Sequence, residues 1–169
     1  NKLDFPGMAI GGLSVGEKNE EMVQLLKDFT PLMPAEKPRY LMGVGTPLDI
    51  LNAVETGVDM FDCVLPTRNA RNGQALTSRG PLNIKNAQFK EDTGPLDPNC
   101  SCRVCKRYSR SYIRHLFTVG EYLAGQLITF HNIHFYLNMM REVRAAITDG
   151  RFDEYHQNFY KSYKLGWKN

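Results

Sequence analysis

Apolar residues in the first third of the chain come in short blocks that end in glycine, and the stretches between them carry helical spacing. The block from Phe5 to Val15 runs through Met8, Ala9 and Ile10 into the pair Gly11 and Gly12, which predicts a buried strand leading into a loop of close backbone approach. From Glu17 to Phe29 the apolar positions are Met22, Leu25, Leu26 and Phe29, the stripe of an amphipathic helix. Thr30-Pro31 and the prolines at 34 and 38 end it. Arg39 to Gly45 repeats the strand-then-glycine block. Thr46 then offers an N-cap, Pro47 suits a first helical position, Ile50, Leu51 and Val54 form the buried stripe, and Gly57 stops the helix. Val58 to Val64 predicts a third strand. The order β-α-β-α-β at short spacing implies parallel strands with right-handed crossovers.

Beyond Leu65-Pro66 the texture changes. Asn72-Gly73 and Ser78 to Pro81 are turn signals, and Gln74 to Thr77 with Leu82 to Ile84 is expected to form a small hairpin. Residues 91 to 99, polar and rich in Pro and Gly, read as an exposed approach to the cysteines that follow. Helical texture covers Lys106 to Gln126, Asn132 to Asp149 and Phe152 to Tyr163. In the second of these Ile133, Tyr136, Leu137, Met140, Val143 and Ile147 make one apolar face, closed by Gly150. The expected organisation is an α/β part over 1–90, a cysteine-bearing part with helices over 91–150 and a terminal helix over 151–169. Three strands and two crossovers leave long unpaired edges. With no Met at the start, the chain is therefore expected to be the C-terminal part of something larger.

Length and composition narrow this picture little. The 169 residues are 42% hydrophobic and 23% charged, an ordinary globular balance, and no apolar run approaches the roughly 20 residues of a spanning helix. With no signal pattern at the start, a cytoplasmic protein with reduced or metal-bound thiols and no membrane partner is the expectation. Net charge is +3, but its distribution is uneven. Arg103 to Arg114 holds five cations and no acid, and Thr67 to Arg79 holds three Arg. Such segments suit a phosphate-bearing partner or form a solvated face; charge alone does not choose.

Three of the four cysteines, Cys100, Cys102 and Cys105, fall within six positions. That density asks for a metal before it asks for disulfides, since thiolates bind Zn²⁺ well and a tetrahedral site needs one more ligand. His131, just ahead of Asn132 as an N-cap, is the candidate, and His134 and His115 compete with it. A closed four-ligand site would be structural. Three unrelated thiols are the bland alternative.

Asp62, in Phe61-Asp62-Cys63-Val64-Leu65-Pro66, sits at the carboxyl end of a predicted parallel strand, where α/β folds place their sites. An aspartate in such an apolar run can be a covalent nucleophile at a sugar carbon, or a turn-forming residue that caps the next loop. Asp59 lies nearer the strand start, and Cys63 reads as packing. Gly11, Gly12, Gly43 and Gly45 would line the same rim, where a flat ring fits beside Leu13 or Met42, although each glycine also reads as a plain turn. Glu17 either meets such a ring or is a first-turn acid.

Taken together, Gly11 to Glu17, Tyr40 to Gly45, Phe61 to Arg68 with Arg71-Asn72-Gly73, and C-x-C-x2-C followed by His131-Asn132 closely resemble the bacterial tRNA-guanine transglycosylases, also called queuine tRNA-ribosyltransferases. The resemblance runs in family order through essentially the whole chain. It implies the last three strands of a (β/α)8 TIM barrel with an inserted zinc subdomain, in a homodimeric enzyme. That enzyme would exchange guanine at wobble position 34 of GUN-anticodon tRNAs (Asp, Asn, His, Tyr) for preQ1 in queuosine biosynthesis. By matched motif Asp62 is the nucleophile. Gly11, Gly12, Leu13, Glu17 and Met42 bind the base. Gly43, Val44, Gly45, Thr46, Pro47, Leu48 and Asp49, and the loop Thr67, Arg68, Asn69, Ala70 and Arg71, contact RNA. Cys100, Cys102, Cys105 and His131 hold one structural Zn²⁺. The family's general acid/base aspartate has no counterpart here, so the chain alone is expected to forfeit roughly 10²- to 10⁴-fold in rate. The alternative from another class is a non-catalytic, zinc-stabilised RNA-binding module.

Overall fold

The computed structural model describes residues 4–13, 16 and 19–167. Its contacts divide the chain into two compact units, Asn1–Val64 and Leu65–Asn169. The protein is an α/β chain with small sheets and many helices.

In the first unit β1 (Met8–Ile10), β2 (Arg39–Leu41) and β3 (Met60–Phe61) lie side by side in that order, all parallel, with Ile10 opposite Leu41 and Leu41 opposite Phe61. The crossovers are α1 (Asn19–Phe29) and α2 (Pro47–Glu55). Their inward faces meet the sheet in a core of Ile10, Met22, Leu26, Leu41, Val44, Ala53 and Val58. The expected Thr46 cap is a reciprocal pair: Thr46 Oγ1 accepts from the Asp49 amide at 3.3 Å while the Asp49 carboxylate accepts from the Thr46 amide at 2.9 Å. Such a cap contributes about 1 kcal/mol. Gly45 has to be glycine beside it, because a Cβ there would stand 2.9 Å from the Asp49 carboxylate. Ala53 rather than Val54 takes the fully buried place on α2. The third strand is shorter than the Val58 to Val64 expected.

The second unit opens on α3 (Leu65–Arg71). This corrects the expected Thr67–Arg71 loop: Pro66 falls in the first helical turn, where a missing amide hydrogen costs nothing. The hairpin forms as β4 (Gln74–Thr77) against β5 (Gly80–Asn83), antiparallel, with Leu76 opposite Pro81. Residues 91 to 99 are not simply an exposed approach, since Leu96 and Asp97 are buried. The Asp97 carboxylate accepts from the Ser78 amide at 2.7 Å, the Ser78 hydroxyl at 2.9 Å and the Asn99 amide at 2.9 Å, tying this loop to the hairpin turn.

The single helical stretch expected over Lys106 to Gln126 is instead α4 (Arg103–Arg107), α5 (Arg110–Thr118) and the start of α6 (Tyr122–Thr148). Cys102 and Ser109 accept from the amides three residues on and cap α4 and α5, and Gly120, at φ +79°, makes the turn into α6. A last helix, α7 (Phe152–Tyr163), matches its expected bounds, and Gly150 at φ +67° ends α6. The buried face of α6 is Ile128, His131, Asn132, Phe135, Met139 and Val143. Of the face expected from the sequence, Ile133, Leu137 and Ile147 are exposed; only Val143 is on both. The helix is rotated by about one position because two polar residues hold the buried stripe.

Candidate functional site

Among the described residues, each unit brings one group of chemically capable side chains together. In the first, parallel pairing sets Tyr40 opposite Met60, so the side chains two residues apart on each strand share one face. Asp62, just past β3, is exposed and carries both of its observed partners on one oxygen. The Tyr40 hydroxyl donates to Oδ1 at 2.7 Å and the Gly43 amide donates to the same atom at 2.8 Å. The Gly43 amide first, and the Tyr40 hydroxyl second, hold the Asp62 carboxyl below the ordinary carboxylate range. In return the Tyr40 phenol is pushed up, chiefly by its bond to Asp62. An ionised carboxylate held by hydrogen bonds to Oδ1 is chemically able to attack an electrophilic carbon.

Around it, Met42 is anchored by donation of its amide to the Ile10 carbonyl at 3.0 Å, and a Cβ on Gly11 would lie 3.5 Å from the Met42 sulfur. The exposed Gly11 and Gly12, half-buried Leu13 and exposed Met42 thus belong to the carboxyl-end rim of the sheet; Gly12 takes φ +80°. Glu17 lies outside the described residues. Of the stretch Gly43 to Asp49, Val44, Gly45 and Pro47 are buried, Leu48 is half-buried, Thr46 and Asp49 are joined in the cap of α2, and Gly43 holds Asp62. Asp59 accepts from the Arg39 amide at 2.8 Å, a strand-start role, and the Cys63 thiol meets the Gly45 carbonyl at 3.5 Å. Tyr40 is the residue that sequence reasoning missed; strand alternation applied to a correct β2–β3 register would have found it.

In the second unit the ligand atoms of Cys100, Cys102, Cys105 and His131 all lie within 4.8 Å of one another. His131 Nδ1 is 3.6 Å from the Cys102 sulfur and 3.3 Å from that of Cys105, while Nε2 is 2.8 Å from the Leu76 carbonyl. That carbonyl accepts the Nε2 hydrogen, so Nδ1 is the nitrogen that faces the thiols and would offer its lone pair once a metal displaces its proton. Tetrahedral zinc with bonds near 2.3 Å to sulfur sets ligand atoms roughly 3.5–4 Å apart, so the four residues fit such an ion. Charge argues the same way. Burial pushes His131 down, but hydrogen bonds to Cys100 and Cys102 outweigh it and raise the group to about 9. Cys102 is lowered by its bonds to Cys100 and Cys105, and Cys105 is raised by the same cluster. Three crowded thiols cannot all ionise without a compensating cation.

His131 lies in the middle of α6, not at a helix start, and Asn132 is not an N-cap. Fully buried, Asn132 accepts from the Leu76 amide at 2.8 Å and donates to the Pro66 and Gln74 carbonyls at 2.9 and 3.0 Å. His131 and Asn132 together satisfy the outer edge of β4 and fasten α3, β4 and α6 to one another. Of the competing histidines, His134 approaches only Cys100.

The basic segments divide. Arg110 is buried against Asp92 at 2.7 Å and stacks over Trp167, Arg103 lies 4.2 Å over the Phe130 ring, and Arg114 donates to the Asn86 carbonyl. Arg110 and Arg114 thus serve the fold, while Arg103, Lys106 and Arg107 remain exposed. On α3, Arg68 and Arg71 are exposed, Thr67 is half-buried, Ala70 is buried and Asn69 donates to Gln74 at 2.7 Å. Among the described residues no helix is long and apolar enough to cross a membrane.

A family model described as "TGT: Queuine tRNA-ribosyltransferase" matches residues 1–165. A queuine tRNA-ribosyltransferase of Nitratidesulfovibrio vulgaris (strain DP4) is 60% identical over 161 residues, covering 95% of this chain and 43% of that protein. One of Oleidesulfovibrio alaskensis is 56% identical over 158 residues, covering 94% and 42%. One of Francisella tularensis subsp. tularensis (strain WY96-3418) is 53% identical over 163 residues, covering 96% and 44%. The chain spans less than half the length of these relatives.

Proposed function

The chain belongs to the queuine tRNA-ribosyltransferase family, and from that premise we propose that it carries the nucleophile and the structural metal site of an enzyme that exchanges a base in tRNA. The observation that carries this is the doubly bonded Asp62 at the carboxyl end of β3. With Oδ1 held by Tyr40 and Gly43, Oδ2 attacks the ribose C1′ of the wobble nucleotide. The C1′–N9 bond breaks, guanine leaves with the bonding pair and takes up a proton, and the ribose stays esterified to Asp62. Attack by preQ1 at C1′ releases the carboxylate and loses a proton from the incoming base. Gly11, Gly12, Leu13 and Met42 frame the base, and Glu17 orients their peptide. Gly43 to Asp49 and the exposed Arg68 and Arg71 with their α3 neighbours Thr67, Asn69 and Ala70 face the RNA. The substrates are tRNAs with GUN anticodons.

Cys100, Cys102, Cys105 and His131 hold one zinc ion, whose chemistry is to cross-link the cysteine loop to α6; all four positions go to protein, so it takes no part in exchange. The three parallel strands belong to a (β/α)8 barrel in the complete enzyme, a cytoplasmic homodimer. In the full-length protein, Asp62→Asn is expected to abolish the covalent protein–RNA band seen on denaturing gels with cognate tRNA. Persistence of that band in the variant would remove Asp62 from the nucleophile role.

A further inference from the structure

Two of the metal site's three cysteines, Cys100 and Cys105, are only half-buried, and one of them borders a cavity that also receives a histidine. Cys102 is buried, but Cys100 is half-buried and borders a cavity of about 270 Å³ whose other walls come from α6, α7 and the loop around Asp97. From α6 this cavity receives His134, Asn138 and Glu142, spaced four apart on one helix face. His134 stands one turn beyond His131, and its Nδ1 is 3.7 Å from the Cys100 sulfur. A zinc-bound thiolate can only accept a hydrogen bond, so the ring nitrogen that meets it has to carry the hydrogen.

We propose that His134 is a positioning residue of the metal site: its Nδ1–H bonds the cavity-facing sulfur of Cys100 and holds that thiolate on the metal. The proposal rests on the zinc reading of the Cys3His cluster. His131 is fixed from behind by the Leu76 carbonyl and Cys102 by burial, whereas Cys100 is open to solvent or a chelator from this cavity and Cys105, also half-buried, borders a separate surface pocket away from His134. The N–H···S bond draws charge from that sulfur and keeps it from swinging away. His134 is thus an outer partner rather than a fifth ligand or a substitute for His131.

The test is zinc transfer from the purified protein to a chromophoric chelator, followed by stopped flow. His134→Ala should release zinc about tenfold faster than the parent, the low end of what loss of an outer-shell partner produces. His134→Asn, which restores an N–H donor near the position of Nδ1, should return to within about twofold of the parent rate. In parallel, iodoacetamide labelling read by peptide mass should mark Cys100 sooner in His134→Ala than in the parent, relative to Cys105, which His134 does not meet. Parent-like release from His134→Ala, or equally fast release from the Asn variant, overturns the proposal while leaving the zinc site standing. A parent protein that neither contains nor takes up zinc overturns the cluster reading and the proposal with it. Thermal melts of the zinc-loaded variants separate fast release from failure to fold, because a His134→Ala protein that melts with the parent yet releases zinc faster supports positioning alone.

Discussion

At Asp62 the two hydrogen bonds on Oδ1 have opposite consequences for the partners they join. The donors stabilise the carboxylate and lower its proton affinity, while the Tyr40 phenol holds its proton more tightly because losing it would leave an anion beside Asp62. A depressed carboxyl is fully charged above its unfolded value and gains its proton only as pH falls through the lower folded value. Removing one donor moves that point up. Tyr40→Phe in the full-length enzyme should therefore shift the acid limb of the pH–rate profile to higher pH, toward the ordinary carboxylate value of 3.8. At neutral pH its rate should fall by roughly tenfold through misorientation of Asp62 in its proposed role as nucleophile. An acid limb identical to that of the parent would mean the Tyr40 bond does not form in solution. The Gly43 amide continues to serve Oδ1 in this variant, so covalent RNA capture should weaken without vanishing.

Helix α6 joins more of the second unit than its apolar spacing announces. Ile133, Leu137 and Ile147 look like its core face, yet they are exposed, and His131 with Asn132 occupies the middle of the buried stripe. A polar pair can do this because every one of the four described backbone contacts it makes lands on α3 or on the unpaired edge of β4. Asn132→Ala would remove the side-chain partner of the buried Leu76 amide and of the part-buried Gln74 carbonyl, and a second acceptor contact at Pro66. Each such group costs about 1–3 kcal/mol, so a loss near 3 kcal/mol is expected in urea unfolding after partial relaxation and water entry. A change under about 1 kcal/mol would show that water replaces the amide. The element boundaries that were legible, Pro47 at a helix start and Gly150 at a helix end, are local: a cap or a positive-φ residue acts within a few positions of itself. The split of residues 106–126 into separate helices also rests on such signals, Ser109 and Gly120, but helix-forming neighbours on both sides masked them.

For the molecule as a whole, metal removal is the informative perturbation. The second unit's core includes Cys102, with Cys100, Cys105 and Trp167 packed against it. Trp167, the chain's one tryptophan, donates to Thr77 at 3.0 Å and lies under Arg110. Its emission is therefore a reporter of that unit. Zinc chelation should lower the melting midpoint followed by Trp167 by roughly 10 °C, about 2 kcal/mol for a unit of this size, and added zinc should restore it. An unchanged midpoint would show that the cysteine loop is held without the ion. By itself the sequence determined the strand–helix alternation, the Asp62 candidate, the cysteine cluster and the family, because those are set by residue type, short spacing and motif order. Only the tertiary structure decided that Tyr40 serves Asp62, that His131 lies inside a helix with its ring turned by Leu76, and which face of α6 is buried. Those outcomes depend on strand register and on where distant backbone groups need partners, and neither is written in the local pattern of any one segment.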